Sequence, residues 1–144
     1  MKIIVDADAC PVKNEIVQTA RKYDIEVIMV CDTAHVISDG YSNVITVDKG
    51  SDSADFKIVN ISEAGDIVIT GDYGVAAMAL SKGAKALGNS GVIYTRFNID
   101  SFLAQRHLAK ENRRKGGKFT KIKKRTSGEN INFSASLEKL IQTI

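Results

Sequence analysis

Two aspartates, Asp6 and Asp8, follow a short apolar run near the start of the chain, Ile3-Ile4-Val5. Residues two apart on an extended chain point in the same direction, so this spacing predicts that both carboxylates face one cavity. In doubly wound α/β sheets, the ligand crevice lies beyond the carboxyl ends of the parallel strands. The pair is therefore expected at the edge of the sheet where ligands bind.

Three further aspartates are predicted to reach the same edge. Asp72 follows the apolar run 66–70, and Asp52 and Asp55 lie three residues apart in the first turn of a predicted helix. Carboxylates gathered in one place repel each other unless a cation lies among them, and oxygen ligands without convergent His or Cys favour Mg²⁺ or Mn²⁺. Such an ion suits the hydrolysis of a phosphodiester. The expected ligands are Asp6, Asp8, Asp52, Asp55 and Asp72.

Each of these aspartates also has a structural explanation. Asp8 is placed to cap a helix or close a turn, and Asp72 is placed to cap the helix that follows it. Asp52 and Asp55 also complement the positive end of a helix dipole. For any single residue, the structural role is at least as good an explanation as a metal site. Convergence of all five on one edge favours the metal site, because independent caps need not converge.

The elements that must position these residues alternate along the chain. Short β-branched runs predict five strands, at residues 2–5, 26–30, 43–47, 66–70 and 92–95. Helical spacing predicts helices at 11–22, 52–61 and 73–82, the first with Pro11 at its N1 position. This order predicts a three-layer α/β fold over a single domain, residues 1–144, with a mostly parallel sheet flanked by helices.

The last third of the chain predicts two more helices and a loop. The first helix is expected to be capped by Asp100 or Ser101 and to run to about Lys115. The stretch 116–130 is rich in Gly, Lys, Ser and Thr, which predicts a mobile loop, and a final helix is expected from Ser134.

Positive charge is concentrated in residues 106–129, here called the basic segment, which we expect to be mobile. Residues 106–125 hold ten Lys and Arg against one acid, a net +9, whereas the rest of the chain carries −6. This asymmetry favours a polyanionic partner, although such runs are more often solvated surface. The candidate nucleic-acid-binding residues are Lys13, Arg106, Arg113, Arg114, Lys115, Lys118, Lys121, Lys123, Lys124 and Arg125.

Composition excludes several other classes of protein. No apolar stretch approaches the roughly 18 to 20 residues of a membrane span, and the chain starts with a strand-like run instead of a signal peptide, so we expect a cytoplasmic protein. Two cysteines, Cys10 and Cys31, are too few for a disulfide framework and lack the spacing of a zinc site.

Three motifs resemble those of the YaiI/YqxD family of small bacterial proteins of unassigned function. They are Val5-Asp-Ala-Asp-Ala-Cys-Pro-Val-Lys13, Asp52-Ser-Ala-Asp-Phe56 and Val68-Ile-Thr-Gly-Asp-Tyr-Gly74. The first motif is highly specific, and the resemblance extends over essentially the whole chain.

The same motifs are more distantly similar to PIN and NYN nuclease domains, whose acidic residues hold Mg²⁺ or Mn²⁺ for RNA cleavage. That resemblance implies that Asp6 matches the first-strand acid, Asp55 the helix acid and Asp72 the acid of the Thr-Gly-Asp turn. Asp8 and Asp52 would be secondary ligands. Thr70 would orient a carboxylate or a water. The implied function is metal-dependent cleavage, of RNA more than DNA.

Two other functions stay open at this point. In a phosphatase of the haloacid-dehalogenase type, Asp6 and Asp8 would be nucleophile and general acid. Against this reading, the expected second acid about four residues after Gly71-Asp72 is missing, because Ala76 stands there. A nucleic-acid-binding protein without hydrolytic activity would use the basic segment for phosphate contacts and Phe119 for stacking.

Overall fold

The computed structural model describes residues 1–32, 37–50, 52–114 and 125–143. The strands are β1 (Lys2–Asp6), β2 (Glu26–Asp32), β3 (Asn43–Val47), β4 (Ile67–Ile69), β5 (Lys85–Leu87) and β6 (Ile93–Tyr94). The helices are α1 (Lys13–Tyr23), α2 (Ser53–Ile61), α3 (Tyr73–Ser81), α4 (Ile99–Arg114) and α5 (Ser127–Gln142).

The six strands form one sheet in the order β3-β2-β1-β4-β5-β6. Every pairing is parallel except that of β5 with β6, which is antiparallel. Strand order runs one way from β1 to β3 and the other way from β4 to β6, so the direction reverses between β1 and β4. In this class of fold, ligands bind at the carboxyl ends of the strands at such a switch point. The predicted α/β fold with a mostly parallel sheet is confirmed.

Helices cover both faces of the sheet, because side chains of a buried strand alternate between its faces. On one face, Ile3 and Val5 pack with α1 and α5, through residues such as Ile16 and Phe133. On the other face, Ile4 packs with residues of α2 and α3. A third cluster joins α3, α4 and β6 through the rings of Tyr73, Tyr94 and Phe102.

The predicted starts of α1 and α4 and the predicted number of strands are wrong. Helix α1 begins at Lys13, so Pro11 lies in the turn before the helix and not at N1. Helix α4 begins at Ile99, before the predicted caps Asp100 and Ser101. The prediction of five strands missed β5, whose sequence Lys-Ala-Leu has none of the β-branched residues that mark the predicted strands.

The final helix also begins earlier than predicted, at Ser127 instead of Ser134. Thr126 caps it by accepting a hydrogen bond from the Glu129 N–H, in the Thr-x-x-Glu pattern of a capping box. Residues 127–130 are therefore helical and not part of a loop, as are residues 106–114 of the basic segment. Residues 115–124 lie outside the described part of the chain. None of the described helices is both long and apolar enough to cross a membrane.

Candidate functional site

A cleft of about 490 Å³ opens at the carboxyl edge of the sheet, where β1 and β4 end. Asp6 is the last residue of β1, and Gly71 and Asp72 join β4 to α3. The residues that line this acidic cleft are Asp6, Ala9, Gly71, Asp72, Tyr73, Asn89 and Arg106. Its position is the switch point of the sheet, so the topology alone delivers two of the predicted acids to one place.

Thr70 connects the two acids of the acidic cleft. This side chain is fully buried, and its Oγ1 donates a hydrogen bond of 3.0 Å to Asp6 Oδ2. The same Oγ1 accepts a hydrogen bond of 3.0 Å from the Asp72 N–H. One hydroxyl therefore fixes both the Asp6 carboxylate and the backbone that carries Asp72, as expected for a residue that orients a carboxylate.

Asp72 caps α3 with only one of its carboxylate oxygens. Its Oδ1 accepts hydrogen bonds from the N–H groups of Gly74 and Val75, at 2.8 and 3.2 Å. A Cβ at position 74 would lie 3.1 Å from this oxygen, so glycine there leaves the carboxylate its space. The side-chain hydrogen bonds and the ion pair of Asp72 within the described residues all use Oδ1. The predicted cap is confirmed, and it leaves Oδ2 available to a ligand.

Burial and mutual repulsion make the site unfavourable for negative charge. Burial is the main cause that raises the pKa of Asp6, and the charges of Asp72 and Asp8 raise it further, while the Thr70 hydrogen bond lowers it. Burial also raises the pKa of Asp55 to about 6, with added repulsion from Asp72, Asp6 and Asp52. The carboxylates therefore interact across the edge of the sheet although they come from separate elements.

Arg106 supplies positive charge at the acidic cleft. From α4, its Nη1 forms an ion pair of 3.3 Å with Asp72 Oδ1, and the side chain is about half exposed. Its charge lowers the pKa of Asp55, but less than the acids raise it. Arg106 therefore offsets the repulsion only in part.

Two of the predicted ligands lie apart from the acidic cleft. The chain turns after Asp6, with a Cys10 N–H to Ala7 carbonyl bond, so the strand alternation does not extend to Asp8. The Asp8 carboxylate instead accepts the Asp32 N–H at 3.0 and 3.2 Å, at the end of β2. Asp52 is exposed at the N-cap position of α2, without a side-chain capping bond.

No set of three or more His, Cys, Asp or Glu side chains is arranged to hold a metal ion within the described ranges. Asp6 and Asp72 line the acidic cleft, and Asp55 lies close enough that their charges contribute to its raised pKa. Two of the five predicted ligands therefore line the cleft and Asp55 lies beside them, while Asp8 and Asp52 lie outside the cleft but within reach of its charges.

The predicted nucleic-acid-binding residues divide into three groups. In the first group, Arg106 lines the acidic cleft. In the second, Lys13 and Arg125 form hydrogen bonds within the protein, and Lys13 donates to the Cys10 carbonyl at 3.2 Å. Arg125 donates to Asn130 Oδ1 and to the Asn89 carbonyl. The side chains of Arg113 and Arg114, and all of Lys115, Lys118, Lys121, Lys123 and Lys124, lie outside the described part of the structure.

Asn89 is a cleft residue that the sequence analysis missed. It lies in the turn between β5 and β6, and its buried Oδ1 has no hydrogen-bond partner among the described residues. A Cβ at Gly71 would lie 3.3 Å from its Nδ2, so the two residues pack closely across the cleft. Recognition of β5 would have placed Asn89 at this edge, because it follows that strand by two residues.

Comparison with known proteins identifies relatives along nearly the whole chain. Residues 4–143 match the family described as "Uncharacterized BCR, YaiI/YqxD family". A UPF0178 protein of Ruminiclostridium cellulolyticum is 54% identical, over 95% of this chain and 90% of the relative. A UPF0178 protein of Lachnoclostridium phytofermentans is 52% identical, over 100% of this chain and 99% of the relative.

The names of these relatives state no activity, substrate or cofactor. No solved structure matches the chain. Both the family match and the identities extend over nearly all of the sequence, so the resemblance seen in the three motifs is confirmed. The chain belongs to the bacterial YaiI/YqxD family.

Proposed function

We propose that the protein is a divalent-metal-dependent nuclease that cleaves RNA in preference to DNA. The observation that carries this proposal is the pairing of Asp6 and Asp72 in one cleft at the switch point of the sheet, joined by Thr70. Asp55 adds a third carboxylate, whose pKa is raised by burial and by the charges of its acidic neighbours. Repulsion among half-buried acids is the condition that a bound cation relieves.

The donor set suits Mg²⁺ or Mn²⁺. Asp72 Oδ2 and Asp6 Oδ1 accept no hydrogen bond from any described residue, and both belong to hard carboxylate ligands. Mg²⁺ is commonly held by one or two carboxylates together with waters and substrate phosphate, so a complete protein cage is not required. Such an ion supplies Lewis acidity and a more acidic bound water. Asp6 and Asp72 would hold it, with Asp55 assisting.

The protein side chains would orient the reacting groups. Thr70 fixes Asp6 by its hydrogen bond to Oδ2, which leaves the other carboxylate oxygen to face a ligand. Arg106 presents a guanidinium at the cleft, and guanidinium groups bind phosphate oxygens well because of their planar, paired donors. Arg106 would therefore bind a substrate phosphate beside the acids.

The basic segment supports a nucleic-acid substrate. Arg106, near its start, pairs with Asp72, and Arg125 donates to the carbonyl of Asn89, which lines the acidic cleft. Eight more Lys and Arg lie between these two positions in the sequence. Arg106 and Arg125 bring positive charge of this segment to the cleft, which would attract a polyanion to it.

The phosphatase alternative gains no support from the site. That mechanism needs both acids of the Asp-x-Asp motif to face the substrate, whereas the Asp8 carboxylate accepts hydrogen bonds from Asp32 and does not line the acidic cleft.

The test is cleavage of end-labelled single-stranded RNA, structured RNA and single-stranded DNA with Mg²⁺ or Mn²⁺. Wild type should cleave RNA and lose activity in EDTA, and Asp6→Asn should abolish cleavage with an unchanged fold by circular dichroism. Asp100→Asn is the matched control, since Asp100 is an exposed acid in the first turn of α4.

Failure of wild type to cleave any substrate with either ion would refute the nuclease proposal. Metal-independent RNA binding that persists in Asp6→Asn and Asp72→Asn would instead favour the non-catalytic alternative. Asparagine is a sound choice at position 72 because it still caps a helix.

A further inference from the structure

A second cleft, of about 410 Å³, opens where β3 ends and α2 begins. Phe56, Lys57 and Asn60 line it from α2, and Ser53 contributes from the start of the same helix. Thr46 and Asp48 line the opposite side, from the carboxyl end of β3. We call this the α2 cleft.

The α2 cleft shares helix α2 with the proposed nuclease site. Both clefts lie at the carboxyl edge of the same parallel sheet. Helix α2 belongs to both regions, because Asp55 interacts with Asp6 and Asp72 while the adjacent Phe56 and Lys57 line the α2 cleft. At about 3.6 residues per turn, the residues of α2 that line the second cleft lie on the side of the helix opposite Asp55. A polymer bound at the acidic cleft would therefore cross over the first turn of α2 to enter the second cleft.

The groups in the α2 cleft suit a nucleoside. The Phe56 side chain is 64% exposed, which leaves a large apolar ring in contact with water. Nucleobases stack on such rings whatever their identity, because every base has a π face. Lys57 forms no ion pair or hydrogen bond with a described residue, so its ammonium is available to a backbone phosphate.

The remaining groups favour a base and sugar over phosphate alone. Asn60, Ser53 and Thr46 carry neutral donors and acceptors that match the edges of a base. The carboxylate of Asp48 would repel a phosphate placed beside it but accept a hydrogen bond from a base amino group or a ribose hydroxyl.

We propose that the α2 cleft is a subsite for an unpaired nucleotide of the strand bound at the acidic cleft, with its base stacked on Phe56 and its phosphate near Lys57. This inference rests on the proposed nuclease function, which it deepens by specifying a single-stranded substrate. A base paired in a duplex keeps its faces stacked on its neighbours, so double-stranded RNA would not use the subsite.

Tryptophan fluorescence tests the subsite without any cleavage. The chain has no tryptophan, so Phe56→Trp creates a single reporter, here combined with Asp6→Asn to prevent turnover. Phe97→Trp is the matched control, because Phe97 is 97% exposed and lines neither cleft. Probes are a single-stranded oligoribonucleotide, the same oligomer with abasic sites, and a duplex of equal length.

The expected result is saturable quenching at position 56 by the single strand, with little change from the duplex or at position 97. Without the Trp reporter, Phe56→Ala should weaken binding of the single strand by about 5- to 150-fold, the factor that corresponds to ~1–3 kcal/mol per stacked base. When Phe56 is present, the abasic oligomer should bind more weakly than the intact single strand by a similar factor. Phe56→Ala should not weaken binding of the abasic oligomer any further.

The outcomes separate this inference from the nuclease proposal. Cleavage by wild type without quenching at position 56 would overturn the subsite and leave the nuclease standing. Quenching without cleavage by wild type would support the subsite and overturn hydrolysis. Equal binding of single strand and abasic oligomer would also refute stacking at Phe56.

Discussion

Replacement of Asp55 by asparagine should stabilise the metal-free protein at pH 8. This expectation is opposite to the usual effect, because an acid in the first turn of a helix normally stabilises it by about 0.3–1 kcal/mol. At this position, the repulsion from Asp72, Asp6 and Asp52 acts on an already half-buried carboxylate. A neutral amide of the same shape would remove both the repulsion and the cost of partly burying a charge.

The size of the effect follows from the pKa of Asp55. A rise from the ordinary 3.8 to about 6 corresponds to at most about 3 kcal/mol of native-state destabilisation when the group is ionised. Solvent screens a partly exposed carboxylate, and asparagine also loses the helix-dipole contribution. The expected net gain in the free energy of unfolding for Asp55→Asn at pH 8 is therefore about 1 kcal/mol.

The pH dependence has a definite sign. A carboxyl whose pKa is higher in the folded state binds more protons when folded, so the free energy of unfolding of wild type falls as pH rises from about 3.8 to about 6. The advantage of Asp55→Asn over wild type should therefore be near zero at pH 3.5, grow through this window and level off above it.

Urea denaturation in EDTA at pH 3.5, 5, 6 and 8 measures the difference directly. Asp100→Asn is the control, since Asp100 occupies the first turn of α4, and this variant should lose a few tenths of a kcal/mol at pH 8. A loss of stability in Asp55→Asn equal to that of Asp100→Asn would show that Asp55 only complements its helix, and would refute the clustering of acids.

Three further predictions concern other contacts of the site. Thr70→Val should lower the free energy of unfolding by about 1–3 kcal/mol, because it leaves the Asp72 N–H without its acceptor, and Thr70→Ser should restore it in urea denaturation. Arg106→Gln should raise the apparent Mn²⁺ affinity about fivefold by calorimetry, because it removes a cation that competes for Asp72; unchanged affinity would contradict this competition. Neutralising Arg113, Arg114 and Lys115 should reduce the slope of the logarithm of the RNA-binding constant against the logarithm of the salt concentration by about two, as measured by anisotropy. An unchanged slope would show that the basic segment is not part of the RNA interface.

The sequence predicts the fold well because its signals are local and repeated. Continuous apolar runs such as Ile67-Val68-Ile69 indicate strands buried on both faces, and their alternation with helices indicates a parallel sheet. The end of the chain was harder to predict. Gly128 and Asn130 are typical of loops, yet Thr126 and Glu129 cap a helix there, since tertiary packing through residues such as Phe133 overrides weak local propensity.

In the candidate site, the sequence predicts the positions of only those residues that lie at the ends of strands. Asp6 ends β1 and Asp72 follows β4, and these two strands are neighbours, so the proximity of the two acids results from the topology. The strand-alternation rule failed for Asp8, because β1 ends at Asp6 and the chain then turns. The roles of Asn89 and Arg106 at the cleft depend on contacts between distant elements, which no local pattern encodes.

The central claim is that Asp6 and Asp72 bind a divalent metal ion. Anomalous diffraction from crystals soaked in millimolar Mn²⁺ tests it most directly, because it locates the ion independently of any activity. We expect a peak within coordination distance of both carboxylates, with the Arg106 guanidinium moved away from Asp72. Absence of a peak at the acidic cleft, with Arg106 still paired to Asp72, would contradict it.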